Sequence, residues 1–161
     1  MSITETLEMV TPEGQPTIEL RCFVKAPPEL LFEVWTKPEH VRNWWGPERL
    51  ATIECDIDLR VGGQWRCVHQ APDGQTFAFY GEYLEIEPPH KLVRTWIWEG
   101  MPDQAAIELV YFEAADGGTV IHGTTTHPSV EARDQHLTNG MEEGMRDTFR
   151  RLTELVAALV G

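Results

Sequence analysis

The chain has 161 residues, 42% of them hydrophobic and 24% charged, which suits one globular domain with a core that needs no disulfide or metal staple. Its formal net charge is −13, from 13 basic and 26 acidic residues. With no basic run to displace counterions, nucleic acid and anionic membrane surfaces are not expected as partners.

Residues 1–16 are polar and carry Pro12, Gly14 and Pro16. They read as a lead-in or an added edge strand ahead of a single domain over 17–161. From Thr17 the pattern has period two, with Ile18, Leu20, Cys22 and Val24 on one face, which predicts a half-buried strand. The stretch "APPELLFEVWTKPEHVRNWWGP" then changes period. Pro27 and Pro28 suit a helix start, and Leu30, Leu31, Val34 and Trp35 share a helical face. Pro38 interrupts. A second short helix is expected to carry Val41, Trp44 and Trp45 on one side and to end at Gly46-Pro47.

From Leu50 to His127 the chain reads as strands at 50–58, 63–70, 77–87, 91–99, 105–114 and 118–127. The turns between them are short, so neighbouring strands are expected to be antiparallel. The C-terminus is helical, with Leu137, Met141, Met145, Phe149, Leu152, Val156 and Leu159 in one stripe. Asn139 with Glu142 three residues on looks like a cap. Either a separate turn from about 129 precedes the long helix, or one helix kinks at Asn139-Gly140. Seven antiparallel strands bury a face under one helix only by curling around it. The fold class is therefore α+β, with room for a cavity between helix and sheet.

Several stretches resemble a known family. "RCFVKAPPELLFEVWTKPEHVRNWWGP" (21–47) is similar to the opening signature of the SRPBCC, or START-like, superfamily, in the branch named after the activator of the heat-shock-protein-90 ATPase. "VGGQWRCVHQAPDG" (61–74), "YGEYLEIEPPHKLVRTW" (80–96), "GGTVIHGTTTH" (117–127) and "GMEEGMRDTFRRLTELV" (140–156) match later family stretches in order. The resemblance implies a helix-grip fold, as in the birch-pollen allergen, with seven strands around the long C-terminal helix and two short helices after the first strand. It also implies a hydrophobic or aromatic small molecule as ligand. Arg94 stands where the branch commonly has an aromatic, and pointing inward it would meet an anionic ligand group.

Catalytic candidates are few. The only serines are Ser2 in the tail and Ser129 after a proline, which leaves no place for a Ser-His-Asp site. Cys22, Cys55 and Cys67 have no paired spacing, so they read as reduced thiols, with Cys22 and Cys67 as small core residues. Together with the lack of a signal peptide or an apolar run of ~20 residues, they make a cytoplasmic protein the expectation. The six histidines show no metal-ligand spacing, and no cofactor or metal is expected.

The expected cavity has walls from Trp45, Trp65, Phe79, Trp96 and Trp98, with Met141 and Met145 from the helix. His69, Tyr83 and Arg94 are its candidate polar groups. Gly140 and Gly144 beside the methionines suggest a close approach to the sheet or room for a ligand, with plain core packing as the simpler account. Of the two tryptophans, Trp45 is expected to face the cavity and Trp44 the first helix. Small-molecule binding is the first functional reading. A co-chaperone-like module that stimulates a chaperone ATPase is the second, although the extra N-terminal domain of a complete activator is not seen. A cyclase- or hydrolase-type enzyme using the same cavity is the third. A homodimer stays open, with no seam visible.

Overall fold

Alternating burial continues through most of the chain, and the strands it predicts join into one sheet. The structure is a computed structural model that describes residues 7–138 and 140–160. Its strands are β1 (Leu7–Val10), β2 (Thr17–Val24), β3 (Ala51–Ile57), β4 (Gln64–Gln70), β5 (Thr76–Glu87), β6 (Lys91–Trp98), β7 (Ala106–Ala115) and β8 (Gly118–Thr126). They lie in the order β1-β2-β8-β7-β6-β5-β4-β3, and all neighbours are antiparallel. Eight strands stand where the alternation predicts seven. The eighth is β1, laid along β2 with Leu7 opposite Cys22.

Helix α1 (Pro28–Thr36) begins with Pro28 in its first turn and buries Leu31, Val34 and Trp35. Lys37 is extended, as a residue before proline prefers, and α2 (Pro38–Val41) follows. The second helix is shorter than expected, because regular helix stops at Val41. The amides of Trp44 and Trp45 both donate to the Val41 carbonyl, at 3.2 and 2.9 Å. Gly46 then takes φ +94° and turns the chain out. The tryptophans therefore sit on a tight turn, not on a helix face.

At the C-terminus, α3 (Val130–Thr138) and α4 (Met141–Val160) are separate helices, with Gly140 at φ +83° between them. Asn139, and with it the expected cap, lies outside the described residues. The hydroxyl of Ser129 caps α3 by accepting from the Ala132 amide at 3.0 Å. Helix α4 buries Met141, Thr148, Phe149, Leu152 and Val156. Leu159 departs from the expected stripe and is 43% exposed. One core cluster takes residues from β2, α1, β4, β5, β6, β7, β8 and α4, so both larger helices cover the same face of the sheet.

One close approach organises the middle of that face. Trp65 on β4 lies across Gly81 on β5, its register partner, and its indole N–H donates to the Thr95 carbonyl on β6 at 3.1 Å. A Cβ on Gly81 would fall 1.9 Å from that carbonyl and 2.7 Å from the indole nitrogen. Gly140 and Gly144 are different, since a Cβ at either would meet nothing within 4 Å. The close approach to the sheet expected there does not occur. Two substitutions separate these cases in urea denaturation. Gly81→Ala should destabilise by ~1–3 kcal/mol or more, as overpacking does. Gly144→Ala, in a helix interior with open space, should stabilise by roughly 1 kcal/mol.

Candidate functional site

The tight turn after α2 sends its two tryptophans in different directions. Trp44 is buried, lies 4.5 Å from Trp35 of α1 between ring centroids, and donates its indole N–H to the Val34 carbonyl at 3.0 Å. Trp45 is half-buried and turns to the sheet, against His69 (5.2 Å), Phe79 (5.5 Å) and Trp65 (5.8 Å). Helix α4 holds this turn in place. Arg151 donates to the carbonyls of Gly46 (2.6 Å) and Asn43 (3.1 Å), Asp147 accepts from the Glu48 amide (2.7 Å), and Arg150 pairs with Glu48 (2.8 Å). Gly46 is needed twice, for its positive φ and because a Cβ there would come 2.9 Å from the His69 ring.

From Trp45 a row of rings runs along the inner face. Phe79 stacks on Trp96 at 5.4 Å, and Trp96 stacks on His136 of α3 at 5.3 Å with 18° between planes. His136 Nδ1 then lies 3.2 Å from His127 Nε2. On β4 the face that carries Trp65, Cys67 and His69 is the inner one, since all three are at most 2% exposed.

Arg94 also points inward, but its charge is already answered. Its Nε donates to Glu108 Oε1 at 2.7 Å, and its guanidinium carbon lies 3.8 Å from the centre of the Trp65 ring. That is a buried ion pair resting on an aromatic face. Glu108 is the inward residue that the sequence reading lacked. On β7 it alternates with exposed Ile107 and half-buried Leu109, so its strand presents apolar residues outward and an acid inward. Tyr83, opposite Arg94 in register, is buried, and its hydroxyl has no hydrogen bond among the described residues. Burial pushes its pKa up against the pull of Arg94.

The cavity expected between sheet and α4 is nearly filled. A space of about 50 Å³ remains there, bounded by Trp35, Trp44, Trp45, Met145 and Phe149. Met141 is buried beyond it. A second pocket, of about 60 Å³, opens at the other end of the ring row. Trp96, Trp98, Met101, Gln104, His127 and His136 line it. The buried Gln104 Oε1 has no donor among the described residues. Burial pushes the His136 pKa down to about 4, helped by His127 beside it. Burial and then Arg133 lower that of His127. The pair is therefore neutral at pH 7 and joined by one shared proton. His136, Met101 and Gln104 are pocket residues that the sequence reading lacked. Among the described residues, no three His, Cys, Asp or Glu side chains converge as metal ligands, and no helix is long and apolar enough to cross a membrane.

Comparison with known proteins follows the same outline. The model of the family described as activator of Hsp90 ATPase homolog 1-like protein matches residues 25–157. A solved structure from Rhodobacter sphaeroides has a TM-score of 0.88 at 24% identity, covering 94% of this chain and 99% of its own. One from Mycobacterium smegmatis has a TM-score of 0.82 at 24% identity, covering 92% and 95%. One from Nitrosomonas europaea has a TM-score of 0.80 at 25% identity, covering 92% and 97%. These likenesses establish a helix-grip fold. A search of curated protein sequences gives no match.

Two measurements probe the electrostatics. Glu108→Gln leaves the buried Arg94 unpaired and should cost ~3–5 kcal/mol, whereas the double variant Arg94→Met/Glu108→Leu should recover most of that. His69 is fully buried, and burial, then Arg151, pushes its pKa from 6.5 down to about 4. The unfolded chain takes up that proton first as the pH falls. The stabilisation is therefore complete above pH 6.5 and is lost as the pH drops to about 4. Urea midpoints at pH 7 and 4.5 should differ less in His69→Phe than in the parent, by about 2–3 kcal/mol in unfolding free energy.

Proposed function

The chain belongs to the activator of Hsp90 ATPase homolog 1-like family, and we propose that this member binds a small, neutral aromatic molecule that carries a hydrogen-bond donor. The observation behind this reading is the pocket lined by Trp96, Trp98, Met101, Gln104, His127 and His136. Apolar walls with a few convergent polar groups and shifted pKa values are what small-molecule sites offer. Trp98 supplies flat stacking area, whereas Trp96 is already stacked on Phe79 and His136. Gln104 Oε1 lacks a donor among the described residues, and a ligand N–H or O–H answers it. The histidine pair is uncharged at neutral pH, so a neutral ligand suits it better than an anion. Arg94 gives no anion site either, because Glu108 already holds it.

Size narrows the ligand further. A pocket of about 60 Å³ falls below the ~150 Å³ that encloses a benzene and far below the ~300–1,000 Å³ of sites for drug-sized molecules. A single ring fits with part of it outside, or with the half-buried Trp98 displaced.

The family match over 25–157 favours a second reading, a module that binds a heat-shock chaperone and stimulates its ATPase. Chaperone ATP hydrolysis that does not change on adding the protein would remove it.

Titration with phenol and with pyrrole, each a single ring with a donor, tests the first reading. Both should quench tryptophan fluorescence saturably and raise the melting temperature, and benzene, which has no donor, should bind at least tenfold more weakly. Gln104→Leu should erase that preference for a donor. Quenching that stays linear in ligand concentration, or benzene binding as tightly as phenol, would count against the proposal.

A further inference from the structure

Cys55 and Cys67 are twelve residues apart in sequence but directly opposite in the β3–β4 ladder. The ladder fixes the kind of pair they make. The Asp58 amide donates to the Gln64 carbonyl at 2.9 Å, so positions 58 and 64 form a hydrogen-bonded pair. The two kinds alternate along an antiparallel ladder, which makes 57/65 and 55/67 non-hydrogen-bonded pairs. In such a pair the Cα atoms approach to ~4.5 Å, within the ~4.4–6.8 Å that a disulfide spans. The sulfur atoms already touch at 3.4 Å, with the Cys67 thiol donating to Cys55.

The two thiols have unlike surroundings. Cys67 is 2% exposed on the inner face between Trp65 and His69. Cys55 is half-buried on β3, the outermost strand of its side of the sheet. The Cys67 hydrogen bond holds the Cys55 thiol below its ordinary range, with help from Arg42 and Arg94 against the cost of burial. Cys67 moves the other way, raised by its bond to Cys55 and by burial. An outer thiol that ionises more readily, touching an inner thiol that keeps its proton, is the division of labour that reaction with a peroxide requires.

We propose that Cys55 and Cys67 are a redox pair that hydroperoxides oxidise to an intramolecular disulfide. The Cys55 thiolate attacks one peroxide oxygen. The O–O bond breaks, the departing oxygen leaves as hydroxide or alkoxide and takes a proton from water, and Cys55 becomes a sulfenic acid. The Cys67 sulfur then attacks the sulfenic sulfur. The S–S bond forms as the S–O bond breaks, and the oxygen leaves as water with the proton of Cys67. Two thiols lose two electrons, and hydrogen peroxide is reduced to two waters. Because the pair lies on β3 and β4, away from the Trp96–Trp98 pocket, the chemistry does not depend on what that pocket binds.

The test treats the full chain with hydrogen peroxide, then titrates thiols in denaturant and maps tryptic peptides without reduction. Thiols should fall from three per chain to one. Peptide 50–60 should be joined to peptide 67–91, peptide 22–25 should keep its thiol, and dithiothreitol should reverse the change. Cys22→Ser should oxidise like the parent. Cys67→Ser should stop at the sulfenic acid, which dimedone captures on Cys55. A count that stays at three, cross-links that join different chains, or dimedone capture on Cys22 in place of Cys55 would overturn the proposal.

Discussion

The fold turns on how one large ring crosses the sheet. Trp65 belongs to β4, yet its indole reaches over β5 to bond the backbone of β6, which is possible only because β5 has no side chain at Gly81. One face of the buried indole then carries the Arg94 guanidinium, and Arg94 carries Glu108 from β7. Side chains thus join β4, β6 and β7 across β5, in addition to the ladders. A buried charge is tolerable only when it is paired and packed. Here the partner comes from one neighbouring strand and the packing surface from a strand two places away.

That arrangement leaves little free volume in the middle of the molecule. The rings from Trp45 to His136 touch in series, and residual space collects at the two ends of the row. The turn that delivers Trp45 is not anchored by its own hydrogen bonds alone. Its carbonyls are held by Arg151 of α4, so the long helix and the short-helix region move as one unit. Any movement of Trp45 would pull against these bonds, whereas among the described residues helix α4 makes no such bond to the turn after Trp98, whose carbonyl accepts from the Met101 amide.

Much of this was legible in the sequence, because periodicity reports burial directly. The inner faces of β2 and β4 follow from alternation, and the stripe of α4 follows from steps of three and four, whereas on β6 Leu92, Val93 and Arg94 are all buried. Other features were hidden for definite reasons. A four-residue strand such as β1 is too short to show a period. Regular helix ends at Val41, while the spacing of Val41, Trp44 and Trp45 fits a longer helix equally well. Glu108 looks like a surface acid until its strand is paired with Arg94. Cys55 with Cys67, and His127 with His136, meet through register and helix docking, which no local spacing encodes. Stretches that resemble a known family fixed the fold more firmly than they fixed the contents of its interior.

The sheet does not close, and β1 and β3 are its two free margins. An open margin is a template on which another chain can add a strand. β1 offers only four residues. β3 is longer, but its ladder is broken by an irregularity between Thr52 and Glu54, and Glu54 and Asp56 stand exposed along it. On a chain of net charge −13, a second copy approaching that margin meets acid against acid along a distorted backbone. The features that make β3 a poor partner for strangers therefore help keep an open sheet from growing into a fibre.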